Sequence, residues 1–593
     1  MTKMAETVVI RKLLVRRFRG IEKLDWRPEP GMNVILGGGD VGKTTVLDAI
    51  ALLLSPSNAS VVSEADYWRC DTTQDFEIEA VAQFPESFEI STQRRFNWPW
   101  AWNGENAVVP AANADGADDM AAPSDPVYRI RVRGTSELEL VWEIVQPDDE
   151  VSHFSVALRR KIGLVRLSAD ERNDRDLRLV YGSALDRLLG DAALRSRIGT
   201  QVSKVDIQES LNGEGKSAIE TLDKRLLGAA LPGALKLGLT TSQGISIGAL
   251  IGLLASKDGV SLPLSSWGAG TRRMAALEIA SSAEKNVCVV IVDEIERGLE
   301  PYRLRKLMNN LSSATHQSFV TTHSPVAISC VRDAHLWYLD AYGHIGALIY
   351  ENISKQQRRE PETFLSKLAV IAEGPTEVGF LRFLLKKAFA TDPLDHGVRV
   401  CDGQGNQATL ALLEALSSAG LAFAGFADNE GTSPGRWLEV KKALGNRLHQ
   451  WADGCTERNV IEKIPADRLT DLLKSSDDDF DGYRLRTMAD RLGLEDKRLP
   501  AIQAALDARD ESLCQLIIDA ATGNKAGAPP GKDKEWKKHE QAWFKSEIGG
   551  EELAQKMVSL GAWPSVQPSI LPLINAILKA AGQRQHETFD LCE

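Results

Sequence analysis

Short apolar runs that stop at glycine or at acidic residues recur along the chain. The largely apolar runs at 33–36, 287–292, 368–372 and 421–427 each end in this way. Runs of four to eight apolar residues with such boundaries are typical of buried strands in a parallel sheet. We therefore predict an α/β chain whose reactive side chains follow strand ends, where open sheets bind their ligands.

A glycine-rich segment at 37–44 follows the first run and precedes a helix predicted over 44–54. This context is the one that a P-loop requires. Its glycines let backbone N–H groups point at phosphate, its lysine reaches the β- and γ-phosphates, and its threonine hydroxyl binds Mg²⁺. The predicted ATP-binding residues are Gly37, Gly42, Lys43, Thr44 and Thr45.

Two acidic residues and a histidine follow later strands. Asp293 and Glu294 end the run at 287–292, and His323 follows the next predicted strand. We expect Asp293 to hold a metal ion through water and Glu294 to orient or deprotonate the attacking water. His323 would lie within reach of a γ-phosphate, although a single histidine is more often structural.

A serine- and glycine-rich segment at 264–273 precedes a helix predicted to run to about residue 282. Such a helix N-terminus can bind an anion, here the nucleotide of a partner subunit, through Ser265, Gly268 and Gly270. Gln83 ends an alternating strand at 76–84 and is a candidate for the glutamine of a nucleotide lid, or an ordinary exposed glutamine.

The order of these motifs resembles the ABC ATPases of the SMC and DNA-repair type. The segment at 264–273 resembles a divergent ABC signature, and residues 15–21 resemble the group's N-terminal strand. The gap between residues 83 and 264 is too short for an extended coiled coil and contains no sustained heptads. We interpret 168–240 as a compact helical dimerisation insert, between ATPase parts at 1–167 and 241–355. Its leucines recur at helical spacing, a pattern that is more often local core than an interface: Leu177, Leu179, Leu185, Leu188 and Leu189.

Acidic residues gather around two later runs. Glu373 follows the run at 368–372, and Asp428 follows the run at 421–427. Glu377 lies four residues after Glu373, which is the spacing of one helical turn. Hard oxygen ligands of this kind suit Mg²⁺ or Mn²⁺, whereas any one of them alone is more often a solvated carboxylate.

These residues resemble the metal-binding Toprim domain. The resemblance is carried by Glu373-Gly374, by Asp402-Gly403-Gln404-Gly405 and by Asp428-Asn429-Glu430, where the last motif departs from the usual Asp-x-Asp. An ABC ATPase fused to a Toprim domain with a C-terminal helical extension, here 363–593, resembles the OLD family nucleases, which include the nuclease subunit of Gabija-type anti-phage systems.

The resemblance implies roles for individual residues. Glu373 and Glu377 would hold one metal ion, and Asp428 would lie between two ions. Glu430 and Glu457 would hold the second ion, with Glu462 as a substitute for one of them. Such sites are expected to add a catalytic lysine, for which Lys545 is the candidate.

The function implied is an ATP-binding, divalent-metal-dependent DNA endonuclease or nickase, gated by an ABC ATPase dimer, in phage defence or DNA repair. The expected partners are DNA and further copies of the chain, with a helicase-like protein suggested by the resemblance alone. The alternative is an ATP-switched DNA-binding clamp with a non-catalytic Toprim domain.

Composition agrees with this interpretation without proving it. The 593 residues suffice for two or three domains, and 43% apolar with 26% charged residues is ordinary for globular proteins. No apolar run is long enough to cross a membrane, and we expect a cytoplasmic protein.

The net charge of −12 is unusual for a DNA-binding protein. Basic segments at 11–19, 159–161, 356–359 and 532–545 are candidates for DNA contact, although each alone is more often a solvated face.

Overall fold

The computed structural model describes most of the chain, which divides into two compact units. One unit consists of Met1–Leu36 and Asp40–Ala347, and the other mainly of Leu348–Glu593. None of the helices in the described ranges is long and apolar enough to cross a lipid bilayer. The described residues are 7–58, 61–90, 97–110, 123–167, 176–180, 183–191, 194, 207–239, 251–283, 289–331, 334–340, 343–349, 351–418, 423–474 and 478–591.

Strands dominate the first unit. They are β1 (Val9–Phe18), β2 (Ile21–Trp26), β3 (Met32–Leu36), β4 (Phe76–Gln83), β5 (Trp100–Trp102), β6 (Ala107–Val108), β7 (Pro126–Gly134), β8 (Leu140–Val145), β9 (Val151–His153), β10 (Val165–Leu167), β11 (Lys236–Leu239), β12 (Ile251–Lys257), β13 (Val260–Pro263), β14 (Val289–Val292), β15 (Gln317–Thr321), β16 (His335–Leu339) and β17 (Ile345–Ala347).

These strands form three sheets. The largest is antiparallel, with β2, β1, β4 and β7 in order and with β8 and β5 both pairing with β7. The second runs β10, β14, β15, β3, β16, β17 and is parallel except for its last strand. The third contains β11, β12 and β13. The parallel sheet brings the carboxyl ends of β3, β14 and β15 to one edge, which is where the P-loop, the acidic pair and His323 follow.

Helices of the first unit connect and cover these sheets. They are α1 (Lys43–Leu53), α2 (Val156–Lys161), α3 (Ala184–Leu189), α4 (Gly213–Gly228), α5 (Ala269–Ala283), α6 (Pro301–Ser312) and α7 (Pro325–Cys330). Helix α1 lies between the two large sheets, because its buried side chains share one core with residues of β4 and β15. Complete burial of a side chain such as Leu47 or Ile50 contributes about 1.5–3 kcal/mol.

The predicted insert is described only in part. Residues 168–175, 181–182, 192–193, 195–206 and 240 lie outside the described ranges, and α3, α4 and β11 occupy much of the remainder. Leu177, Leu179, Leu185 and Leu189 are buried within the chain itself, whereas Leu188 is half-buried. These four leucines form local core, so they are not available as a dimer surface.

The second unit is built on a four-stranded parallel sheet. Its strands are β18 (Leu368–Ala372), β19 (Val398–Asp402), β20 (Ala424–Ala427) and β21 (Leu448–Gln450), in the order β19, β18, β20, β21. Every residue of β18 and β20 is buried. Burial on both faces explains why these two segments read as continuous apolar runs.

Helices surround this sheet and form most of the C-terminal part of the unit. They are α8 (Glu351–Arg359), α9 (Pro375–Phe389), α10 (Asn406–Ser418), α11 (Pro434–Leu444), α12 (Thr456–Ile461), α13 (Leu469–Leu472), α14 (Asp478–Leu492), α15 (Leu499–Arg509), α16 (Leu513–Thr522), α17 (Asp533–Lys538), α18 (Glu547–Ser559) and α19 (Trp563–Ala580). Sheet and extension share one hydrophobic core, which includes Phe380, Phe426, Phe544 and Leu553. The polar tract at 352–362, which spans the predicted end of the ATPase part at 355 and precedes the predicted Toprim part, forms α8 and the turn after it.

Helices α9 and α18 cross at a very short distance. A Cβ atom on Gly379 would lie 1.8 Å from the carbonyl oxygen of Glu547, and one on Gly550 would lie 2.0 Å from the carbonyl oxygen of Thr376. No side chain fits at either position without moving the backbone of the opposite helix. The two glycines therefore determine how closely the helix that carries Glu377 approaches the helix that follows Lys545.

Candidate metal centre and nucleotide-binding site

Four carboxylates meet at the carboxyl edge of the four-stranded sheet. Glu373 follows β18 and Asp428 follows β20, while Glu377 and Glu457 lie in the first turns of α9 and α12. All four residues are buried, with at most 6% of their surface exposed. Carboxylates are rarely buried in this way unless they are paired or bind metal.

The Glu373 carboxylate is held by two donors. Its Oε2 atom accepts a 2.8 Å hydrogen bond from Asn406 Nδ2 and a 2.9 Å bond from the backbone N–H of Asp428. The backbone of the loop after β19 approaches closely as well, since Gly405 N–H donates to the Glu373 carbonyl at 2.7 Å. Glu373 is thus fixed by two neighbouring strand ends.

The Asp428 carboxylate is oriented by two donors at the start of α12. Its Oδ1 atom accepts 2.9 Å hydrogen bonds from both the backbone N–H and the hydroxyl of Thr456. Thr456 lies at the start of α12, directly before Glu457. The same short segment therefore positions two of the four carboxylates.

Lys545 brings a cation to the cluster from the helical extension. Its Nζ atom lies 2.9 Å from Glu457 Oε1, and Glu457 is completely buried. The preceding residue, Phe544, accepts a 2.8 Å hydrogen bond at its carbonyl from Thr376 Oγ1. The structure thus brings Lys545 together with Glu373, Glu377, Asp428 and Glu457, although 172 residues separate the ends of this set.

A buried arginine anchors the segment that carries Lys545. The Arg484 guanidinium is 2.7 Å from Glu552 Oε2, lies 5.0 Å from the ring centre of Phe544 and donates to the carbonyl of Ala542 at 3.2 Å. The Trp543 indole N–H donates to Thr487 Oγ1 at 3.1 Å. Lys545 therefore extends from a segment that is packed on both sides.

The electrostatics of the cluster favour a bound cation. Burial, together with the charges of neighbouring carboxylates, raises the pKa of Asp428 and of Glu377 well above their ordinary values. Burial also raises the pKa of Glu373. Burial opposes protonation of Lys545, but the Glu457 and Glu377 carboxylates outweigh it and raise the lysine pKa. Four acids and one lysine leave an excess of negative charge.

Two carboxylate oxygens of the cluster are available for a ligand. Glu377 Oε1 and Glu457 Oε2 are buried and accept no hydrogen bond from the described part of the chain. Cys455 adds a half-buried thiol, and one ligand atom each of Asp428, Cys455 and Glu457 lie within 4.8 Å of one another. This oxygen-rich donor set fits Mg²⁺ or Mn²⁺.

Two residues predicted for the cluster lie at its margin. Glu430 is exposed, but its charge is close enough to contribute to the raised pKa of Glu373. Glu462 is exposed and is paired with Arg458 at 2.7 Å. Glu457 is therefore a better candidate metal ligand than Glu462, whose carboxylate is paired with Arg458.

The P-loop lies at the edge of the parallel sheet in the first unit. Gly42 precedes α1 with φ of +98°, a left-handed conformation that favours glycine. Lys43 is buried, and burial lowers its pKa to about 8 against the opposing charge of Asp293. Thr44 Oγ1 lies 3.3 Å from Asp293 Oδ1, and Thr45 next to it is half-buried. Hydroxyl and carboxylate are thus arranged for one Mg²⁺ ion between them.

The two acids after β14 are held by different contacts. Asp293 Oδ1 accepts a 2.5 Å hydrogen bond from Thr321 Oγ1, and the Asp293 carbonyl accepts one from the buried Arg273 side chain. Glu294 has a φ of +48°, and its backbone N–H donates to Thr321 Oγ1 at 2.9 Å. Arg273, a residue of helix α5, was not predicted to contribute to the site.

Glu296 is a further residue that the sequence did not single out. Its carboxylate accepts from the backbone N–H of His323 at 2.7 Å and from Thr322 Oγ1 at 2.6 Å. The His323 side chain itself is exposed. Glu296 therefore fixes the backbone from which His323 extends.

The predicted signature segment is only partly free to bind a ligand. Gly270 packs on the turn before α6, because a Cβ there would lie 2.1 Å from the Gly298 carbonyl oxygen. Gly268 is exposed and Ser265 is half-buried. Gln83 is buried, and its amide contacts Arg11 at 2.6 Å and Asp125 at 3.0 Å.

Solved structures align with just over half of the chain. No curated protein sequence matches the chain. The Smc head domain with an extended coiled coil bound to the C-terminal domain of ScpA, from Pyrococcus furiosus, aligns at 12% identity over 58% of this chain and 96% of its own, with a TM-score of 0.36. The recombination mediator protein RecF with ATP aligns at 14% identity over 58% of this chain and 99% of its own, with a TM-score of 0.33.

The family comparison confirms the prediction of an ATPase domain at a coarser level than the ABC type. A sequence profile described as "AAA domain, putative AbiEii toxin, Type IV TA system" matches residues 32–329, which is half of the chain. The matched segment begins in β3 just before the P-loop and includes the acidic pair and His323. The chain therefore belongs to this family of AAA-type ATPase domains.

Proposed function

We propose that the chain is an ATP-binding, divalent-metal-dependent DNA endonuclease or nickase of the OLD type. The observation that carries this proposal is the buried set of Glu373, Glu377, Asp428 and Glu457 with Lys545 beside it. An ABC-type ATPase dimer would gate the access of DNA. Phage defence or DNA repair is the expected setting.

The donor set divides naturally between two metal ions. Glu373 and Glu377 would hold one ion, Asp428 would contact both, and Glu457 with Glu430 would hold the other. When bound, two such ions activate a water molecule and stabilise the attacking and leaving oxygens of a phosphodiester. The unsatisfied oxygens of Glu377 and Glu457 support this assignment, because a buried carboxylate oxygen without a donor is costly unless a cation satisfies it.

Residues of the chain itself would perform three tasks at this site. Thr456 and Asn406 orient the carboxylates of Asp428 and Glu373 before any ligand binds, so that little reorganisation is needed. Lys545, freed from Glu457 once metal compensates that carboxylate, would donate to a non-bridging phosphate oxygen. Its charge would stabilise the pentavalent centre more than the starting diester.

The nucleotide site would act separately. Lys43 and the P-loop would hold the phosphates of ATP, Thr44 and Asp293 its Mg²⁺ ion, and Glu294 the attacking water, with His323 near the γ-phosphate. Gln83, Ser265, Gly268 and Gly270 would belong to the nucleotide sites formed between two copies of the chain. This arrangement requires a homodimer or larger homo-oligomer, and a helicase-like partner is an expectation from the resemblance alone.

Some of the basic residues expected to contact DNA have other partners. Arg159 is completely buried, lies 4.1 Å over the Trp142 ring and donates to the Ser55 carbonyl at 2.6 Å. Lys532 and Lys537 are exposed, although each is paired with a glutamate at 2.8 Å. We therefore favour 532–545, whose last residue contacts the carboxylate cluster, over 159–161 as a DNA-contacting segment.

The test is cleavage of supercoiled plasmid DNA with Mg²⁺ or Mn²⁺, with and without ATP. Wild type is expected to nick or linearise the plasmid only with metal, and Asp428→Asn is expected to be inactive while still binding ATP. Asp453→Asn is the matched control, because Asp453 is exposed and its carboxylate pairs with Arg458 at the same edge of the sheet. Equal cleavage by wild type and Asp428→Asn would refute the site. Retention of plasmid that depends on ATP, without cleavage, would favour the DNA-binding clamp.

A further inference from the structure

A buried histidine in the helical extension has no hydrogen-bond partner among the described residues. His539 begins the turn after α17 and exposes only 6% of its surface. Neither of its ring nitrogens makes a hydrogen bond to any described residue. An imidazole always has a donor or acceptor to satisfy at each nitrogen, so two unsatisfied nitrogens in a buried ring point to a ligand.

Two carboxylates from different helices approach this ring. Glu535 lies four residues earlier, one turn along the same helical segment, and Asp490 lies in α14. One carboxylate oxygen of each and one ring nitrogen of His539 all lie within 4.8 Å of one another. Two ligand atoms of a tetrahedral zinc ion are about 3.4 Å apart for bonds of 2.0–2.2 Å, so side-chain rotations that move each atom by roughly 1 Å would close the set.

The charges around the three residues are compatible with an incoming cation. Lys532 contacts Glu535 at 2.8 Å, and Lys497 is 4.0 Å from Asp490. Both lysines are about half exposed and can move into solvent, since such surface pairs contribute little. Arg491 donates to the carbonyl of Trp536 and lies 4.6 Å over that ring, so it is occupied elsewhere. Burial and the charge of Arg491 lower the pKa of His539.

We propose that Asp490, Glu535 and His539 bind one divalent transition-metal ion, for which Zn²⁺ is the probe of choice. Mixed nitrogen and oxygen ligands suit zinc better than Mg²⁺, and the exposure of Glu535 leaves a path for entry. The site is separate from the carboxylate cluster and does not depend on the nuclease proposal. A metal ion bound here would cross-link α14 to the turn at His539, which lies six residues before Lys545.

The experiment is a zinc titration of the full chain against a chromogenic chelator, with Mg²⁺ in excess to occupy oxygen-only sites. Wild type is expected to bind one equivalent of Zn²⁺ that His539→Gln and Glu535→Gln bind at least about tenfold more weakly, because even the loss of an outer-shell partner costs 10–100-fold. Glu535→Gln changes an exposed residue, so a loss in that variant does not report misfolding.

His449→Gln is the matched control. His449 is equally buried and also has one ring nitrogen without a partner among the described residues, but its other nitrogen bonds to the Ser569 carbonyl at 2.9 Å. This variant should bind Zn²⁺ as wild type does. In parallel, Zn²⁺ should raise the Tm of wild type and of His449→Gln but not of Glu535→Gln. Equal affinity in wild type, His539→Gln and Glu535→Gln would overturn the proposal, as would an equal loss in His449→Gln.

Discussion

The glycine crossing of α9 and α18 makes Gly379→Ala an informative perturbation. The added methyl group would lie 1.8 Å from the Glu547 carbonyl oxygen and 2.9 Å from the Glu551 nitrogen, both of which are backbone atoms. A carbon cannot approach an oxygen this closely, so the helices must separate by roughly 1 Å or more. Overpacking of this kind costs about 1–3 kcal/mol.

The same separation should disturb the carboxylate cluster. Glu377 lies on α9 two residues before Gly379, while Lys545 precedes α18. A displacement of about 1 Å between reacting groups can lower a rate about a hundredfold. Gly379→Ala is therefore expected to lower the Tm of the second unit by about 2–10 °C and plasmid nicking by up to about a hundredfold, with ATP binding unchanged.

The assays are thermal unfolding followed by circular dichroism and initial nicking rates at saturating Mg²⁺, well below the Tm of the variant. Gly435→Ala is the matched control, because Gly435 lies in α11 and a methyl group added there would have no described neighbour within 4 Å. That variant should be neutral or slightly more stable. If Gly379→Ala loses stability but nicks at the wild-type rate, the crossing does not position Glu377 against Lys545, and the reasoning is refuted.

Three further predictions concern the two sites. Lys545→Ala should lower the nicking rate about a hundredfold without weakening DNA binding, as loss of one preorganised donor does; rescue by saturating DNA would show a phosphate contact instead. Lys43→Ala should weaken ATP binding, whereas Glu294→Gln should keep binding and slow hydrolysis, and equal loss of nucleotide affinity in both would contradict these roles. In EDTA, the free energy of unfolding should fall as the pH rises from about 5 to 8, because the raised pKa values of Asp428 and Glu377 make the folded state bind more protons than the unfolded state. Asp428→Asn and Mg²⁺ should each weaken this dependence of the unfolding free energy on pH, as measured in denaturant titrations. An equal dependence in wild type and Asp428→Asn would show that Asp428 does not cause it.

Local sequence was sufficient to predict the strand ends and the residues directly after them. Glu373 and Asp428 could be found because an apolar run that stops at an acid carries its own signal. Asn406 could have been found in the same way, since it directly follows the Gly403–Gly405 turn. Glu457 and Lys545 were reached only through a family resemblance, because helices intervene between them and any strand.

Other features depend on packing that no local pattern encodes. Glu430 lies only two residues after Asp428, yet it is exposed while Asp428 is buried. The chain turns at Asn429, whose backbone pairs with that of Gly454. Arg159 lies in a basic run but is buried over an aromatic ring. Charge patterns do not reveal which member of a run turns inward.

The burial of Arg484 has a consequence for how Lys545 moves. The stretch from Trp543 to Lys545 has no regular secondary structure, and such segments usually open readily. Here opening would remove the Trp543 and Phe544 rings and the Ala542 carbonyl from the completely buried Arg484 guanidinium, whose pair with Glu552 would then face water. Lys545 thus lies in a coil segment that should resist local opening almost as strongly as the core of the unit. Slow hydrogen exchange of the backbone amides in this segment would distinguish it from an ordinary surface loop.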